Sequence, residues 1–368
     1  MSERFIDKVL LHELGSTADY RIRSRFYDEI VNLQRLEKLE LSKQLVTNIR
    51  GCKFENPVGE TILNGDVTQN HLTQFNNDGY VFPFKIPQKL VYDIYQLIKP
   101  LSFQNTWRNV SIKGDDFIGS DNTIQPSKKF QGTYWLTEGQ KSYSALIQSR
   151  LLQDIAFDPG ILNLVAQYLG TTPIHVATNI WFSSPSTDVE EQKKSAQQFH
   201  QDAGFTNFVK VFIYLSDTNH SNGAHCFIRG SHNLDPREMI PGYVTSKRYQ
   251  DNELEGIYGK DEVITIDGKM GDVIFGDTSC FHKGGVVTEG ARLMMNLEYA
   301  SSLFGAGMNY FNVEEPFSSK LNCYSEMVRK RIVQNYKPKK YTKQNYFKKS
   351  YEQLKHKTIV SVKKLIGI

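Results

Sequence analysis

The sequence predicts a mainly β protein with helices flanking the β region. Between residues 173 and 302, seven short runs rich in β-branched and aromatic residues alternate with Gly, Asn and Asp. Before that region, apolar residues recur at the three- and four-residue spacing of helices. Seven short strands packed so closely along the chain favour a sandwich, a jelly roll or a small barrel.

The N-terminal part of the chain is predicted to be helical. Residues 1–50 carry apolar side chains at helical spacing, and Gly51 provides a stop signal. The segment NPVGETILNGD at 56–66 is rich in turn formers and predicts a connector. Residues 67–101 then predict a helix, a turn at residues 77–79, a short strand and a second helix.

The middle of the chain is predicted to contain a long loop. Residues 103–145 are rich in Gly, Asp and Ser and include large aromatic side chains such as Trp107. We interpret them as an irregular segment of the kind that covers a binding site. Residues 146–169 predict a helix that ends at Gly170.

The strand-like runs follow this helix. In chain order they are PIHVATNIWFSS, FVKVFIYLSD, AHCFIRG, EVITID, DVIFGD, FHKGGVVTE and ARLMMNLEYASS. Several of them alternate apolar and polar residues with a period of two, as a strand with one buried face does. The sequence shows no internal repeat and no low-complexity stretch.

The composition is that of an ordinary globular protein. The chain has 368 residues, of which 39% are hydrophobic and 23% are charged, and this length suits one large or two medium domains. The four cysteines form no C-x-x-C pair, so neither a zinc ribbon nor a redox motif is indicated. The first 15 residues lack the apolar core of a signal peptide. We therefore expect a protein of the reducing cytoplasm.

The charge is unevenly distributed along the chain. From Lys320 onwards there are 14 Lys and Arg against two Glu, a net charge of +12, and the whole chain carries +4, so the part before Lys320 carries −8. The basic tail (residues 337–368) can be drawn as an amphipathic helix that binds an anionic membrane surface or an acidic partner. Packing of this helix on the acidic body is the interpretation that we favour. No motif for specific nucleic-acid binding is present.

A histidine and an aspartate stand one residue apart in QQFHQDAGF. His200 and Asp202 are weak evidence by themselves, because a strand-end histidine followed by a surface aspartate is a common arrangement. Ala203 and Gly204 follow as a loop signal before the run at 208–216. The pair therefore lies where a strand ends, and binding residues concentrate in such loops.

A second histidine and an arginine occur further along the chain. His282 opens the run after GDVIFGD, and Arg292 begins the next run. Two imidazoles and one carboxylate on β segments form a ligand set that suits non-haem Fe(II) and leaves three coordination positions open. The guanidinium of Arg292 could hold a carboxylate through two hydrogen bonds.

Four segments, taken in order, resemble the phytanoyl-CoA dioxygenase family of Fe(II)- and 2-oxoglutarate-dependent oxygenases. They are LTQFNNDGYVFPFKIPQKLVYDIYQLIK, the His-Gln-Asp tripeptide, NGAHCFIRGSHNL and GDVIFGDTSCFHKGGVVTEGARLMMN, and the resemblance spans residues 67–303. It implies a double-stranded β-helix core, which is a jelly roll of the cupin type. It also implies that His200, Asp202 and His282 bind Fe(II). Arg292 would bind the distal carboxylate of 2-oxoglutarate, and O2 is the other co-substrate.

The resemblance also implies a reaction. 2-Oxoglutarate is decarboxylated to succinate and CO2, usually with hydroxylation of an unactivated C–H bond. Asp202 disfavours halogenation, because related halogenases have a small residue in its place. The spacing from His282 to Arg292 is one residue shorter than the family pattern, which suggests a tighter turn through Gly284 and Gly285.

Further side chains are candidates for the co-substrate pocket. The family often adds a polar contact to 2-oxoglutarate from an upstream residue, and Thr133 or Tyr134 are the candidates here. Asn179 and Trp181, both in the run PIHVATNIWFSS, are candidates for the pocket lining. Packing in the core is the alternative for these two residues.

The remaining histidines have structural interpretations. The Gly-Ser-His loop of the family lies close to the site without binding the metal, so we expect Gly230 to serve backbone geometry and His232 to make loop hydrogen bonds. His175 is expected to be a satisfied strand residue, His225 to lie within a strand, and His220 to lie in a surface turn.

A long polar insertion occupies residues 236–260. Insertions at this place shape substrate entry in jelly-roll oxygenases. We therefore hypothesise that residues 236–260 and the aromatic segment at 103–140 form a substrate lid. A simple surface excursion is the alternative.

Together these observations divide the chain into three regions. Residues 1–60 are a helical extension, residues 61–318 are the oxygenase domain, and residues 319–368 are a basic helical tail. The expected activity is the hydroxylation of a small-molecule, lipid or sugar-type substrate. The alternative is a jelly-roll protein that binds a metal or a partner without turnover.

Overall fold

The computed structural model describes only part of the chain. The described residues are 30–31, 33, 35–48, 53–55, 59–105, 107–126, 131–137, 142–304, 311–313 and 318–338. The predicted helices before residue 30 lie outside them, and so does the basic tail after Pro338. Within the described residues, no helix is both long enough and apolar enough to span a membrane.

The helices of the described residues lie mainly before the β core. They are α1 (Arg35–Asn48), α2 (Gln69–Asp78), α3 (Gln88–Ile98), α4 (Tyr143–Gln148), α5 (Arg150–Ala156), α6 (Pro159–Leu169), α7 (Val189–Lys194), α8 (Pro236–Met239), α9 (Asp251–Tyr258) and α10 (Glu326–Ile332). The helix predicted at 146–169 is divided into three. The breaks occur at Ser149 and Asp158, whose backbones are extended and whose side chains cap α5 and α6.

The strands confirm the predicted β region. They are β1 (Tyr80–Lys85), β2 (Ser102–Asn105), β3 (Val110–Lys113), β4 (Gly132–Leu136), β5 (Ile174–Ser184), β6 (Phe208–Tyr214), β7 (His225–Ile228), β8 (Val263–Ile266), β9 (Asp272–Gly276), β10 (His282–Gly284), β11 (Arg292–Ala300), β12 (Phe311–Val313) and β13 (Tyr336–Pro338). Each of the seven runs predicted between residues 173 and 302 contains one strand, from β5 to β11.

Two sheets face each other in the core. The large sheet has the order β1-β9-β6-β11-β5-β4-β2-β3, and the small sheet has the order β10-β7-β8. A bridge between His200 and His282 adds the segment before β6 to the edge of the small sheet. From β5 to β11 the chain therefore passes repeatedly between the sheets, through antiparallel pairs. This arrangement is a jelly roll, so the predicted fold class is confirmed.

The prediction of a long irregular loop at 103–145 was wrong. β2, β3 and β4 lie in this region and extend the large sheet beyond β5. Each has only four or five residues, and the segments between them supply most of the Gly, Asp and Ser. Short strands of this kind leave too little alternation to be recognised in a polar segment.

The large sheet separates two apolar layers. On one face, Ile180 and Phe182 of β5 belong to the main core with the buried side chains of α3 and α6, such as Val91 and Leu162. On the other face, Trp181 belongs to a smaller cluster that includes Phe227 of the small sheet. Because side chains alternate along a strand, Trp181, which lies between Ile180 and Phe182, faces the interior between the sheets.

Helix α1 packs on the core through apolar and charged contacts. Leu41 and Leu45 pack against Phe304. At its N-terminal end, the Arg35 guanidinium lies 2.5 Å from a carboxylate oxygen of Asp277, which is 2% exposed. The Tyr168 hydroxyl donates to the same oxygen at 2.6 Å. This buried ion pair joins α1 to the residue that follows β9.

The glycines that end α2 and α6 have different surroundings. Gly79 and Gly170 both have left-handed backbones, with φ of 81° and 68°. A Cβ atom at Gly170 would meet nothing within 4 Å, whereas one at Gly79 would overlap Cys280 Sγ and come within 2.9 Å of His232 Nδ1.

We expect Gly170→Ala to cost about 1–2 kcal/mol of unfolding free energy and Gly79→Ala clearly more. Urea unfolding measures both, and equal losses would contradict the close contact.

The Arg35–Asp277 pair makes stability depend on pH. Burial alone would raise the pKa of Asp277, but Arg35 and His232 hold it well below its usual range. Such a carboxyl group stabilises the fold above its unfolded pKa of about 4, and the contribution is lost as pH falls towards the folded pKa.

We therefore expect Asp277→Asn to lower the unfolding free energy by about 3 kcal/mol at neutral pH, because it leaves the Arg35 charge buried without a partner. The difference in unfolding free energy between Asp277→Asn and wild type should shrink as the pH falls below about 4. Urea unfolding across this pH range tests the expectation. Asp93→Asn, which breaks the exposed pair with Lys89, serves as the control and should change stability little. A difference that is independent of pH would argue against the ion pair.

Candidate active site

Two backbone hydrogen bonds bring His200 and His282 together. The His200 N–H donates to the His282 carbonyl at 3.0 Å, and the His282 N–H donates to the His200 carbonyl at 2.9 Å. Residues that exchange both hydrogen bonds lie directly opposite each other in an antiparallel ladder, with their side chains on the same face. The two imidazole rings are therefore neighbours, with centroids 4.3 Å apart.

Asp202 joins the two histidines through the loop that follows His200. Its backbone N–H donates to the Thr278 carbonyl at 2.8 Å. Its carboxylate oxygens lie 3.9 Å from His200 Nε2 and 3.4 Å from His282 Nε2. One ligand atom from each of these three residues lies within 4.8 Å of the others, and no second such group of His, Cys, Asp or Glu occurs among the described residues.

The hydrogen bonds of the rings determine which nitrogen atoms face the carboxylate. His200 Nδ1 lies 2.9 Å from the Gln198 carbonyl, and His282 Nδ1 lies 3.0 Å from the Cys280 carbonyl. A carbonyl only accepts, so both protons are on Nδ1 and both Nε2 lone pairs are free. Burial and the neighbouring ring lower the pKa of His200 well below its usual value, which favours the neutral form. Two imidazole Nε2 atoms and a carboxylate fit a divalent metal ion.

Two half-buried ionisable side chains near Asp202 were missed by the sequence analysis. Lys210 Nζ lies 2.7 Å from Asp202 Oδ2, and Glu298 stands opposite Lys210 in the β6–β11 ladder. Burial alone would raise the pKa of Asp202, but Lys210 and His282 hold it well below its usual range. The signal in the sequence was a single lysine inside the apolar run FVKVFIY, where a charge needs a buried partner.

Arg292 begins β11 and is 2% exposed. Its Nη1 donates to the Gly223 carbonyl, its Nη2 lies 3.4 Å from Ser183 Oγ, and its Nε has no partner among the described residues. Burial lowers the pKa of Arg292 to about 10, and no carboxylate contributes to that pKa in the opposite direction. A buried guanidinium without a counter-charge is costly, so this site fits an anionic ligand.

Thr133 lies close to this guanidinium. It stands opposite Ser183 in the β4–β5 ladder, and the two hydroxyl oxygens are 3.2 Å apart. Tyr134 is the next residue of β4 and faces the other side of the sheet, where it packs against Phe182 in the main core. Alternation along the strand allows only one of the two to face Arg292, and the structure favours Thr133.

Asn179 and Trp181 face the interior between the sheets. They alternate along β5 with Ser183, which contacts Arg292. Asn179 Oδ1 accepts a hydrogen bond from the Thr137 hydroxyl. Trp181 stacks on Trp135 at 5.0 Å. Both residues therefore line the same interior as the triad.

His225 differs from a satisfied strand histidine. Its ring centroid lies 4.1 Å from that of Phe212 and 5.7 Å from that of His282, and neither ring nitrogen has a hydrogen-bond partner among the described residues. His175 satisfies the prediction, because its ring nitrogens lie 2.6 Å from Tyr336 Oη and 3.0 Å from Thr178 Oγ1. Like Arg292 Nε, the His225 ring is thus a buried polar group that has no hydrogen-bond partner among the described residues.

The Gly-Ser-His loop has the expected structural role. Gly230 has a left-handed backbone with φ of 69°. His232 Nε2 lies 3.1 Å from the Asn76 carbonyl, and His232 Nδ1 lies 3.1 Å from Cys280 Sγ. The loop therefore joins the end of α2 to the segment before β10. His220 is exposed, as predicted.

The insertion at 236–260 covers the outer face of the small sheet. Ile240, Tyr249 and Leu254 belong to an apolar cluster with Phe199 and Phe281. The lid hypothesis for this insertion and for residues 103–140 stays a prediction.

Helix α1 lies beside the triad. A small pocket that is open to solvent lies between α1, the loop after His200 and the insertion, and Asp202 is among the residues that line it. Lys38 of α1 also lines the pocket and is 9% exposed. Burial lowers the pKa of Lys38 to about 8. A region that the sequence assigned to an extension therefore borders the candidate site.

A family model described as phytanoyl-CoA dioxygenase matches residues 94–294, which is more than half of the chain. The matched residues include His200, Asp202, His282 and Arg292. None of the curated proteins matches this chain.

Several solved structures are similar to this chain at low sequence identity and low TM-score. The α-ketoglutarate-dependent carbocyclase SnoK from nogalamycin biosynthesis is 14% identical, with a TM-score of 0.41 over 64% of this chain and 87% of that chain. HygX from Streptomyces hygroscopicus, with nickel, 2-oxoglutarate and hygromycin B bound, is 15% identical, with a TM-score of 0.42 over 68% and 92%. The monooxygenase ThoJ in its nickel complex is 15% identical, with a TM-score of 0.39 over 80% and 98%. At such TM-scores these likenesses carry no argument about the activity of this chain.

Proposed function

The chain belongs to the phytanoyl-CoA dioxygenase family, and from that premise we propose that it hydroxylates an unactivated C–H bond of a small molecule. It is an oxygenase that depends on Fe(II), 2-oxoglutarate and O2. The proposal concerns the residues that carry this activity and the outcome for the substrate. The observation that carries it is the convergence of His200, Asp202 and His282 with two free Nε2 atoms beside one carboxylate.

In this proposal His200, Asp202 and His282 bind Fe(II). When bound, the metal supplies the redox chemistry that couples O2 to the decarboxylation of 2-oxoglutarate. The carbonyl groups of Gln198 and Cys280 keep the imidazole rings oriented, as partners of metal-binding histidines commonly do. Lys210 fixes the Asp202 carboxylate through its contact with Oδ2.

Arg292 binds the distal carboxylate of 2-oxoglutarate in the same proposal. Within the described part of the chain its buried guanidinium has no carboxylate partner, and a dicarboxylate would supply one. Thr133 and Ser183 provide hydroxyl groups beside it, and Asn179 lines the interior on the same face of β5. The apolar side chains around Trp181 exclude water from this part of the interior.

Two observations favour hydroxylation over the alternatives. Asp202 retains a carboxylate where halogenases of related type have a small residue, so the site has no place for chloride. A metal-binding jelly roll without turnover would not need an uncompensated arginine in its interior, whereas Arg292 is buried and has no counter-charge. The identity of the small molecule, including the lipid and sugar classes, stays open. The cytoplasmic location and the membrane or acidic partner of the basic tail stay predictions.

The metal ligands are tested by spectroscopy and metal binding. Fe(II) and 2-oxoglutarate added without O2 should produce a weak visible charge-transfer band, because the co-substrate chelates the metal through its open positions. His200→Ala should abolish the band and weaken metal affinity by about 100-fold or more, since it removes one of three ligands. His220→Ala removes an exposed histidine and should leave the charge-transfer band and the metal affinity unchanged.

Absence of the band in the wild-type protein, together with no succinate formation in air, would sink the proposal. A band that survives in His200→Ala would show that the metal binds elsewhere.

The co-substrate site is tested by Arg292→Gln. Loss of a charge-assisted hydrogen-bonded pair should raise the 2-oxoglutarate concentration for half-maximal band intensity by about 10- to 100-fold. Metal affinity should not change, because Arg292 contacts none of the three ligands. Arg229→Gln, which removes an exposed arginine paired with Glu262, is the matched control. Equal 2-oxoglutarate affinity in wild type and Arg292→Gln would rule out this role.

A further inference from the structure

We propose that Arg248, in the insertion, binds an anionic group of the primary substrate beside the triad. The substrate is then a small molecule that carries a carboxylate, phosphate or sulfate. This inference rests on the proposed function, and it names the substrate class of the same site. Three features carry it: the register of the insertion, the face to which Arg248 is directed, and a buried nitrogen atom without a partner.

The register places Arg248 opposite His200. The Phe199 N–H donates to the Tyr249 carbonyl at 3.1 Å, and the Tyr249 N–H donates to the Phe199 carbonyl at 2.9 Å. These two residues form an antiparallel bridge, so the next residue on one side faces the preceding residue on the other. His200 therefore has Arg248 on one side and His282 on the other, as neighbours across one small sheet.

The direction of the Arg248 side chain follows from the alternation of side chains along an extended segment. Tyr249 packs on the outer face of the small sheet, with its ring centroid 5.5 Å from that of Phe281. The preceding residue must point the other way, towards the interior that His200 and His282 share. The insertion thus covers the outside of the sheet and contributes Arg248 to the inside.

The electrostatics agree with this position. Burial lowers the pKa of Arg248, and the charge of Asp202 opposes this effect, as expected for a guanidinium that lies near the triad. Arg248 Nη1 is shielded from solvent and has no hydrogen-bond partner among the described residues. A buried N–H group that lacks a partner is costly, and a ligand would remove this cost.

A charge count of the loaded site leads to the same conclusion. Fe(II), Lys210 and Arg292 are positive. Fe(II) carries two charges, so these groups sum to +4, and Asp202, Glu298 and the two carboxylates of 2-oxoglutarate sum to −4. Arg248 is left without a counter-charge even when Glu298 is ionised, and burial raises the pKa of Glu298, which favours its neutral form. The loaded site is therefore cationic and attracts a further anion.

Arg248 and Arg292 serve different ligands, because they lie near different parts of the triad. Arg292 contacts Gly223 and Ser183, and its charge acts on His225. Arg248 instead lies opposite His200 in the register, and the charge of Asp202 acts on it. The distal carboxylate of 2-oxoglutarate and the anion of the substrate thus have separate partners. A guanidinium forms two-pronged, charge-assisted hydrogen bonds with carboxylate, phosphate and sulfate, whereas a neutral substrate supplies no counter-charge.

The test is the binding of simple anions to the full-length protein loaded with Fe(II) and 2-oxoglutarate in the absence of O2. Benzoate and phenyl phosphate are the anionic probes, and benzamide is the neutral probe. We expect at least one anion to bind the wild type more tightly than benzamide, as measured by calorimetry. Arg248→Gln should weaken this binding by about 10- to 100-fold. The tighter anion indicates which oxyanion the substrate carries.

Lys247→Gln is the matched control. It removes the same charge from the adjacent residue, whose ammonium lies over the Tyr249 ring on the outer side, 4.4 Å from the ring centroid. Its anion binding should equal that of wild type. Arg248→Lys should retain part of the anion affinity, and thermal melting of all three variants verifies that they fold.

Two results would overturn the proposal. One is equal anion affinity in wild type and Arg248→Gln, or no preference for either anion over benzamide. The other is a loss of 2-oxoglutarate affinity in Arg248→Gln, which would assign Arg248 to the co-substrate. The charge-transfer band reports separately on the proposed function. If the band does not form, calorimetry of the same anions with metal-free protein still measures the contribution of Arg248.

Discussion

The paired backbone hydrogen bonds between His200 and His282 are the constraint on which the site depends. They fix two imidazole rings on one face of the small sheet, and the loop that follows His200 then has only two residues in which to present Asp202. Because the bonds belong to the sheet, the relative positions of the rings are as rigid as the jelly roll itself. A metal-binding set built on strands in this way needs no rearrangement of the backbone to receive the ion.

Burial of charge is the second property of this interior. Lys210 is paired with Asp202, whereas among the described residues Arg292 has no carboxylate partner and the Nη1 atom of Arg248 has no hydrogen-bond partner. Unpaired buried cations destabilise a fold, so their presence is best understood through the anions that they receive. The interior is therefore organised around the negative charge of its ligands as well as around the metal.

Segments outside the core strands complete the site. The insertion at 236–260 covers the small sheet and supplies Arg248, while α1 borders the pocket next to Asp202. The Arg35–Asp277 pair joins α1 to the end of β9, so the stability of α1 is linked to that of the large sheet. Helix α1, which the division by sequence assigns to an extension, thus lies against the oxygenase domain beside the triad.

The sequence by itself determined the local features. Alternation and turn residues located the strands from β5 to β11, glycines marked the ends of α2 and α6, and motif order indicated His200, Asp202 and His282. Only the tertiary structure decided which other side chains accompany them. Strands β2 to β4 can be assigned only from their pairing in the large sheet. The role of Lys210 follows only from its contact with Asp202. Arg248 stands far from His200 in the sequence, and its place depends on the pairing of Phe199 with Tyr249. Such pairing depends on the register between distant segments, and local periodicity carries no information about that register.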